Sequence, residues 1–232
     1  MLFSPLGDRA VLITLGDSID EATHRRVRAV TARIDAEPPA GFVDRVPAFA
    51  SVTVHYEPSC VGATGDQSPH DAFVEHLRRL LSDVRDDSLP PPRVVEIPVC
   101  YGGALGPDID DVARQHGIAA REVVDIHVSG DYLVYMVGFM PGFAYLGGLS
   151  PRLATPRRQT PRTAVPAGSV GIGGEQTGVY PLVSPGGWNL IGRTPIAMFD
   201  IHRDEPTLLA SGDRVRFCSI SRRDYDNWNR ST

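Results

Sequence analysis

Ser88-Leu89-Pro90-Pro91-Pro92-Arg93 divides the chain in two, and the fold is read outward from it. Each proline ring fixes φ and removes a backbone donor, so three in a row make a stiff extended connector. This places one unit over residues 1–89 and a second over residues 93–232.

Upstream of the prolines the pattern is α/β. Val11 to Leu15 is a short apolar strand. Ser18-Ile-Asp-Glu21 has the spacing of a capping box, and Ile19, Ala22, Val27, Val30 and Ile34 then recur at helical spacing until Pro38-Pro39 stops the run. Val43 to Val46 and Ser51 to Tyr56 read as strands, the second with Val52, Val54 and Tyr56 alternating. Ser68-Pro69 caps a second helix whose apolar face is Phe73, Leu77, Leu80, Leu81 and Val84. With Val94 to Val99 as the next strand, the order is β-α-β-β-α-β, which suits a split βαβ sandwich. A related α/β sandwich fits the same pattern, because local periodicity does not set strand order.

Downstream the pattern changes. Pro107 opens a short helix with Asp108, Asp110 and Asp111 in its first turn, Gly117 ends it, and Ala119 to His127 forms a second. Leu133–Val137, Ser169–Ile172, Asn189–Ile191, Ile196–Ile201 and Arg214–Ile220 are short strands split by Gly and Pro, the pattern of a barrel or sandwich. The fold class is therefore α+β. Ser221 to Thr232 is polar and expected to fray.

Composition narrows the function. The 232 residues are 42% hydrophobic with net charge −5, which argues against a general nucleic-acid binder. No apolar run approaches a membrane span, and Met1 to Arg9 lacks the pattern of a secretory signal. Cys60, Cys100 and Cys218 are odd in number and far apart, which suits a reducing compartment. A soluble cytoplasmic protein is expected. All 23 basic residues are Arg, so a P-loop and a Schiff-base lysine are both excluded. The seven His form no HxxxH or similar pair, and no metal site is expected.

The chemistry concentrates in one segment. Residues 138–192 hold 12 of the 23 glycines, about twice an even share, so they either form tight turns or let backbone approach a ligand. Between Gly138 and Arg193 stand five arginines and one glutamate, net +4, which leaves −9 for the rest of the chain. A cationic glycine-rich segment in an acidic protein suggests a site for a carboxylate, carbamate or phosphate. Arg152 and Arg162 serve either that site or ion pairs with acids of the first unit. Adjacent Arg157 and Arg158 favour the site, since two guanidinium groups offer bidentate donors. Phe139, Phe143, Tyr145 and Trp188 are either core or contacts to a bound molecule, core being the commoner use of such residues. No GxSxG elbow occurs.

Gly138-Phe-Met-Pro-Gly-Phe-Ala-Tyr-Leu-Gly-Gly-Leu149 resembles a signature of the family of the 5-oxoprolinase B subunit. That family includes KipI-type sporulation kinase inhibitors and proteins labelled allophanate hydrolase subunit 1. The likeness continues through Pro151-Arg-Leu-Ala-Thr-Pro-Arg-Arg158, Thr160-Pro-Arg162, Val165-Pro-Ala-Gly-Ser-Val-Gly-Ile172 and Gln176-Thr-Gly-Val-Tyr-Pro181. It also takes in Ser184-Pro-Gly-Gly-Trp-Asn-Leu-Ile-Gly-Arg-Thr-Pro195, Pro98-Val-Cys-Tyr-Gly-Gly103 and Gly106-Pro-Asp108, and covers roughly residues 5–220.

The resemblance implies a cyclophilin-like β-barrel for the second unit. It implies a larger homologous partner, of the type of KipA or the 5-oxoprolinase C subunit, with an A-type protein completing the enzyme. It also implies ATP-dependent opening of 5-oxoproline, with ATP handled in the assembled complex, since this chain has no P-loop. Activation of a lactam carbonyl needs anion stabilisers and a proton carrier. Arg157 and Arg158 are the anion-binding candidates. His127 is either a proton carrier or a histidine stabilised at a helix C-terminus. Gln176, held by the Gly173-Gly174-Glu175 loop, is either a substrate hydrogen-bond partner or a loop brace. With Gly173, Gly174 and Phe139 it makes up the expected substrate-binding set. His127, Arg157, Arg158 and Gln176 are expected in one cleft, with the isolated chain inactive. The other readings are a carboxyltransferase-type subunit of a biotin-dependent urea- or amide-processing complex and a histidine kinase inhibitor.

Overall fold

The computed structural model describes residues 1–85 and 89–228, in two compact units, Met1–Pro91 and Pro92–Thr232. The connector's Ser88 and the last residues, 229–232, lie outside the described residues.

In the first unit β1 (Leu2–Pro5) and β2 (Ala10–Thr14) form a hairpin, α1 (Glu21–Ala36) follows, then β3 (Phe42–Pro47), β4 (Ser51–Tyr56) and α2 (Pro69–Leu80). The sheet order is β1-β2-β4-β3, all neighbours antiparallel. Thus β2 and β3 run parallel with β4 between them, a split β-α-β unit. Alternation decides which face is buried: Val52, Val54 and Tyr56 of β4 join Val11 and Ile13 of β2 under Val27, Val30 and Ile34 of α1 and Phe73 and Leu77 of α2. Each such side chain stabilises the unit by about 1.5–3 kcal/mol relative to exposure. Tyr56 stacks on Phe73 with ring centroids 4.4 Å apart.

Two readings of this unit need correction. The cap of α1 is Asp20, whose carboxylate accepts from the Thr23 N–H at 2.7 Å, while the Ser18 hydroxyl donates to that carboxylate. The helix therefore starts after Ile19, which is exposed. Val94–Val99 is a strand, but it belongs to the second unit, and the N-terminal Leu2–Pro5 supplies the sheet's fourth strand. The proline run explains this, because a strand beyond three prolines starts in the next unit. At α2 the Ser68 hydroxyl does accept from the Asp71 N–H, with Pro69 at the first helical position.

The second unit is built on β5 (Val94–Tyr101), α3 (Ile109–His116), α4 (Ala120–Val128), β6 (Tyr132–Val137), β7 (Ala144–Gly147), β8 (Arg162–Val165), β9 (Ser169–Gly173), β10 (Gln176–Val179), β11 (Ser184–Gly186), β12 (Asn189–Arg193), β13 (Arg214–Ser219) and α5 (Arg222–Trp228). Seven strands close a barrel in the order β10-β7-β6-β13-β5-β12-β9, and β8 pairs with β11 as a separate ribbon. Closure removes exposed edges. The β5–β13 pair is parallel, with Val94 opposite Arg214 and Val99 opposite Ser219. Ile97, Val99, Val134, Leu146, Val170, Ile172, Val215 and Phe217 fill the core, with Val112 and Val123 contributed by the helices. Ile196–Ile201 is not a strand; Phe199 makes an isolated bridge to Thr207. The polar end is ordered as α5 through Trp228, where Arg222 pairs with Asp226 one turn on.

Candidate functional site

The cationic segment is organised by a residue outside it. Asp108, the residue before α3, is 3% exposed and does not cap its own helix. Its Oδ1 accepts from Arg158 Nη1 at 2.9 Å and Arg162 Nη2 at 2.7 Å, and its Oδ2 accepts from the Leu190 N–H at 2.6 Å. The Asp108 N–H donates to the Leu190 carbonyl in return. One buried carboxylate thus ties α3 to β12, to β8 and to the strap before β8. Arg152 pairs with Glu122. The acids that answer Arg152, Arg158 and Arg162 therefore lie in the same unit, not in the first one. Arg158, expected to bind an anion, is engaged by Asp108.

Arg157 is different. It is exposed, and among the described residues it pairs with no carboxylate. It lines a groove with Phe139, Phe143, Tyr145, Tyr180, Pro185, Gly186, Gly187 and Trp188. Phe143 centres the aromatic cluster, edge-on to Tyr145 at 5.0 Å and to Tyr180 and Trp188 at 5.6 Å each. Burial raises the Tyr180 phenol's pKa, while a hydrogen bond with the Trp188 backbone and the charges of Arg157 and Arg162 oppose the rise. Phe139 is 68% exposed, so it is not core, and its φ of +69° is the one positive φ among the described non-glycine residues. A bulky side chain in that region is strained. The loop is held by the Gly138 N–H on the Phe143 carbonyl and the Phe143 N–H on the Met140 carbonyl, a turn through Pro141-Gly142.

His127 does not join this groove. It projects from α4 into the barrel and is fully buried. Its Nδ1 lies 2.8 Å from the Tyr101 hydroxyl and its Nε2 2.9 Å from Thr177 Oγ1. Thr177 Oγ1 spends its own hydrogen on the Gly171 carbonyl at 3.0 Å. The imidazole must therefore donate from Nε2 and accept at Nδ1 from the Tyr101 phenol. Burial depresses its pKa to about 3 and raises that of Tyr101 well above the ordinary range. With both nitrogens hydrogen-bonded, the imidazole braces α4 against β5 and β10.

The loop candidates have structural explanations. A Cβ on Gly173 would meet the Trp188 indole at 2.4 Å, so this glycine makes room for the ring. Gly174, with φ of +65°, opens the two-residue β9–β10 turn, which needs a positive φ at that position. Gln176 begins β10 half-buried opposite Gly173. The structure brings Arg157 and Phe139 to one groove and leaves His127, Arg158 and Gln176 out of it. Sequence reasoning missed Asp108, Tyr145, Tyr180 and Trp188 as its neighbours or supports. Among the described residues no three His, Cys, Asp or Glu side chains converge for a metal, and no helix is long and apolar enough to cross a membrane. A larger hollow of about 440 Å³ in the first unit is lined by Leu15, Ala29, Val30 and Val84 together with Met1, Arg26 and Arg85.

A split β-α-β unit followed by a closed barrel with an outlying ribbon is a defined combination. The family profile described as carboxyltransferase domain, subdomain C and D, matches residues 1–209, and the chain belongs to that family. It is 47% identical to the 5-oxoprolinase B subunit of Bacillus subtilis over 223 residues, 95% of this chain and 93% of that one. It is 44% identical to the 5-oxoprolinase B subunit of Escherichia coli O157:H7 over 91% of this chain and 93% of that one. Both relatives are named as subunits. Among solved structures, the protein TTHA0988 matches with TM-score 0.79 and 38% identity over 92% of this chain, which spans 40% of that longer one. The K. lactis urea amidolyase shares the fold at TM-score 0.75 and 21% identity, over 97% of this chain and 15% of that one.

Proposed function

We propose that this chain is one subunit of an ATP-dependent enzyme that opens 5-oxoproline to glutamate, working in the cytoplasm with a larger homologous partner and an A-type protein. The observation that carries the reading is the 47% identity to a 5-oxoprolinase B subunit over 95% of the chain. The site's content supports it. The exposed Arg157 in a groove offers a bidentate donor for a small anionic substrate. The chain's own residues supply binding and little chemistry: His127 is locked neutral in the barrel, Arg158 is tied to Asp108, and Glu175 is the one acid between Gly138 and Arg193. ATP-driven activation of the lactam carbonyl and delivery of water then fall to groups of the partner proteins, and the isolated chain is inactive. A barrel face that meets a permanent partner buries well above ~1,000 Å² in total.

Co-expression with the larger partner and the A-type protein, followed by ATP-dependent formation of glutamate from 5-oxoproline, tests the reading. Turnover by the chain alone, or none by the assembled proteins, defeats it. A second reading, a carboxyltransferase-type subunit that works with carboxybiotin on urea or a small amide, is favoured by the family to which the chain belongs. It predicts carboxyl transfer to urea by the same assembly supplied with a biotinylated carrier.

A further inference from the structure

We infer that the groove between Phe139 and Trp188 seats a small cyclic carboxylate, its flat ring against the aromatic walls and its carboxylate on Arg157. This rests on the reading of the chain as a 5-oxoprolinase component, and it adds the place and manner of binding. Four observations converge. The first is the state of the segment's arginines: Arg152, Arg158 and Arg162 are answered by acids, and of the two without a carboxylate partner among the described residues, Arg157 and Arg193, it is Arg157 that borders the groove. The second is the backbone that carries it.

The strap that carries Arg157 is pinned on both sides. Thr155 exchanges backbone hydrogen bonds with Gly174 at 3.1 and 2.7 Å. The Pro156 carbonyl accepts from Asn189 Nδ2 at 2.9 Å, and the Arg158 N–H donates to the Gly187 carbonyl at 2.7 Å. The backbone on either side of Arg157 is therefore fixed, which reduces the ordering that binding demands of the guanidinium. Third, the groove encloses about 140 Å³. Pockets for drug-sized ligands measure roughly 300–1,000 Å³, so this smaller groove suits a small acid. Phe143, Tyr145, Tyr180 and Trp188 line the groove, the first, third and fourth nearly buried, and Gly186 and Gly187 present backbone without side chains. Fourth, Phe139 is held at φ +69°, the residue 68% exposed and its ring edge-on to Phe143 at 5.6 Å. Strain of this kind persists where surrounding structure imposes it, and it points to use. A ring bound in the groove would cover the exposed phenyl.

The test uses the full chain carrying Trp228→Phe, which leaves Trp188 as its one indole, since the chain has two tryptophans. Emission is titrated with 5-oxoproline and, separately, with 2-pyrrolidinone, the same lactam without the carboxylate. The expected result is a saturable change with 5-oxoproline and binding at least ten-fold weaker for 2-pyrrolidinone. Arg157→Gln should weaken 5-oxoproline by a similar factor and Arg157→Lys by less. No saturable response to 5-oxoproline, equal response to the two lactams, or unchanged binding by Arg157→Gln overturns the inference. The assembled complex separates the two proposals. Wild-type turnover of 5-oxoproline with an unchanged KM in Arg157→Gln sinks the groove and leaves the 5-oxoprolinase reading standing. Arg157-dependent binding by the chain, with no turnover by any assembly, supports the groove and sinks the reading.

Discussion

Arg162 donates from Nη2 to Oδ1 of Asp108 across 2.7 Å, and the two residues stand 54 positions apart in the chain. The carboxylate is 4% exposed and the guanidinium 25%. Arg158 shares the same oxygen. Asp108→Asn removes the one charge that answers two arginines while keeping the side chain's size. It should destabilise the second unit by about 1–3 kcal/mol, below the range for a wholly buried pair because both arginines keep some solvent. Arg158→Gln should cost less, since Asp108 retains Arg162 and the Leu190 N–H. Urea unfolding of the three proteins checks the order, and a cost for Asp108→Asn within error of zero removes the argument that this carboxylate organises the segment.

Gly173→Ala places a methyl group 2.4 Å from the Trp188 indole, against a ring that is 5% exposed and packed edge-on by Phe143. The ring has little room to retreat, so the cost is that of overpacking, about 1–3 kcal/mol. A shift in Trp188 emission should accompany it. Gly174→Ala would act otherwise, through its φ of +65° in open space, and should leave that emission unchanged.

Phe139 separates strain from side-chain contact. Ala and Gly both remove its ring, but only Gly relieves the positive φ. Phe139→Gly should therefore be more stable than Phe139→Ala by about 1 kcal/mol, even though glycine carries more freedom in the unfolded chain. Equal stabilities in paired denaturation curves would mean that the loop relaxes and stores no strain.

The parts of this fold that were legible in the sequence are those governed by neighbours in the chain. Alternation of Val52, Val54 and Tyr56 marked β4, and Ser68-Pro69 marked the start of α2. The strands β7, β8, β10 and β11 escaped notice because they run only three or four residues, too short for a period to show, and all but β8 carry Gly or Pro. Ile196–Ile201 misled because its apolar residues resemble a strand, yet only Phe199 finds a bridge partner. The site was less legible than the fold. The arginine cluster stood out in the charge count, but which arginine was spoken for depended on Asp108, 50 and 54 residues away from its partners. The glycine density has structural causes that local pattern did not reveal, since Gly173 makes room for Trp188 and Gly174 supplies a positive φ in the turn. The relatives' names point to 5-oxoprolinase; nothing in local pattern alone would have separated that reading from a carboxyltransferase role.

His127 gives the barrel a built-in acid sensitivity. Its imidazole is neutral and fully buried, with Tyr101 on Nδ1 and Thr177 on Nε2, and burial depresses its pKa from 6.5 to about 3. In the unfolded chain the same side chain takes up a proton near the ordinary value, so between about 6.5 and about 3 the unfolded state binds more protons than the folded one. Stability therefore falls as the pH is lowered through that window, by up to about 1.4 kcal/mol per pH unit from this residue. The stabilisation is fully present above the unfolded value. Carboxylates add their own effects below about pH 5, so the range from 6.5 to 5 is set by histidines, and comparison with a His127 variant separates this one from the other six. Side-chain NMR should find the His127 ring in its Nε2–H form and unchanged between pH 8 and 5 while the protein stays folded. His127→Gln, which keeps a donor and an acceptor in reach of Thr177 and Tyr101, should give a urea midpoint less dependent on pH across the same range. If that variant fails to fold, the ring titration of the wild-type protein still decides the matter. A midpoint near 6.5 for His127 in the folded chain would show the barrel interior to be open to water and would return this histidine to the list of proton carriers.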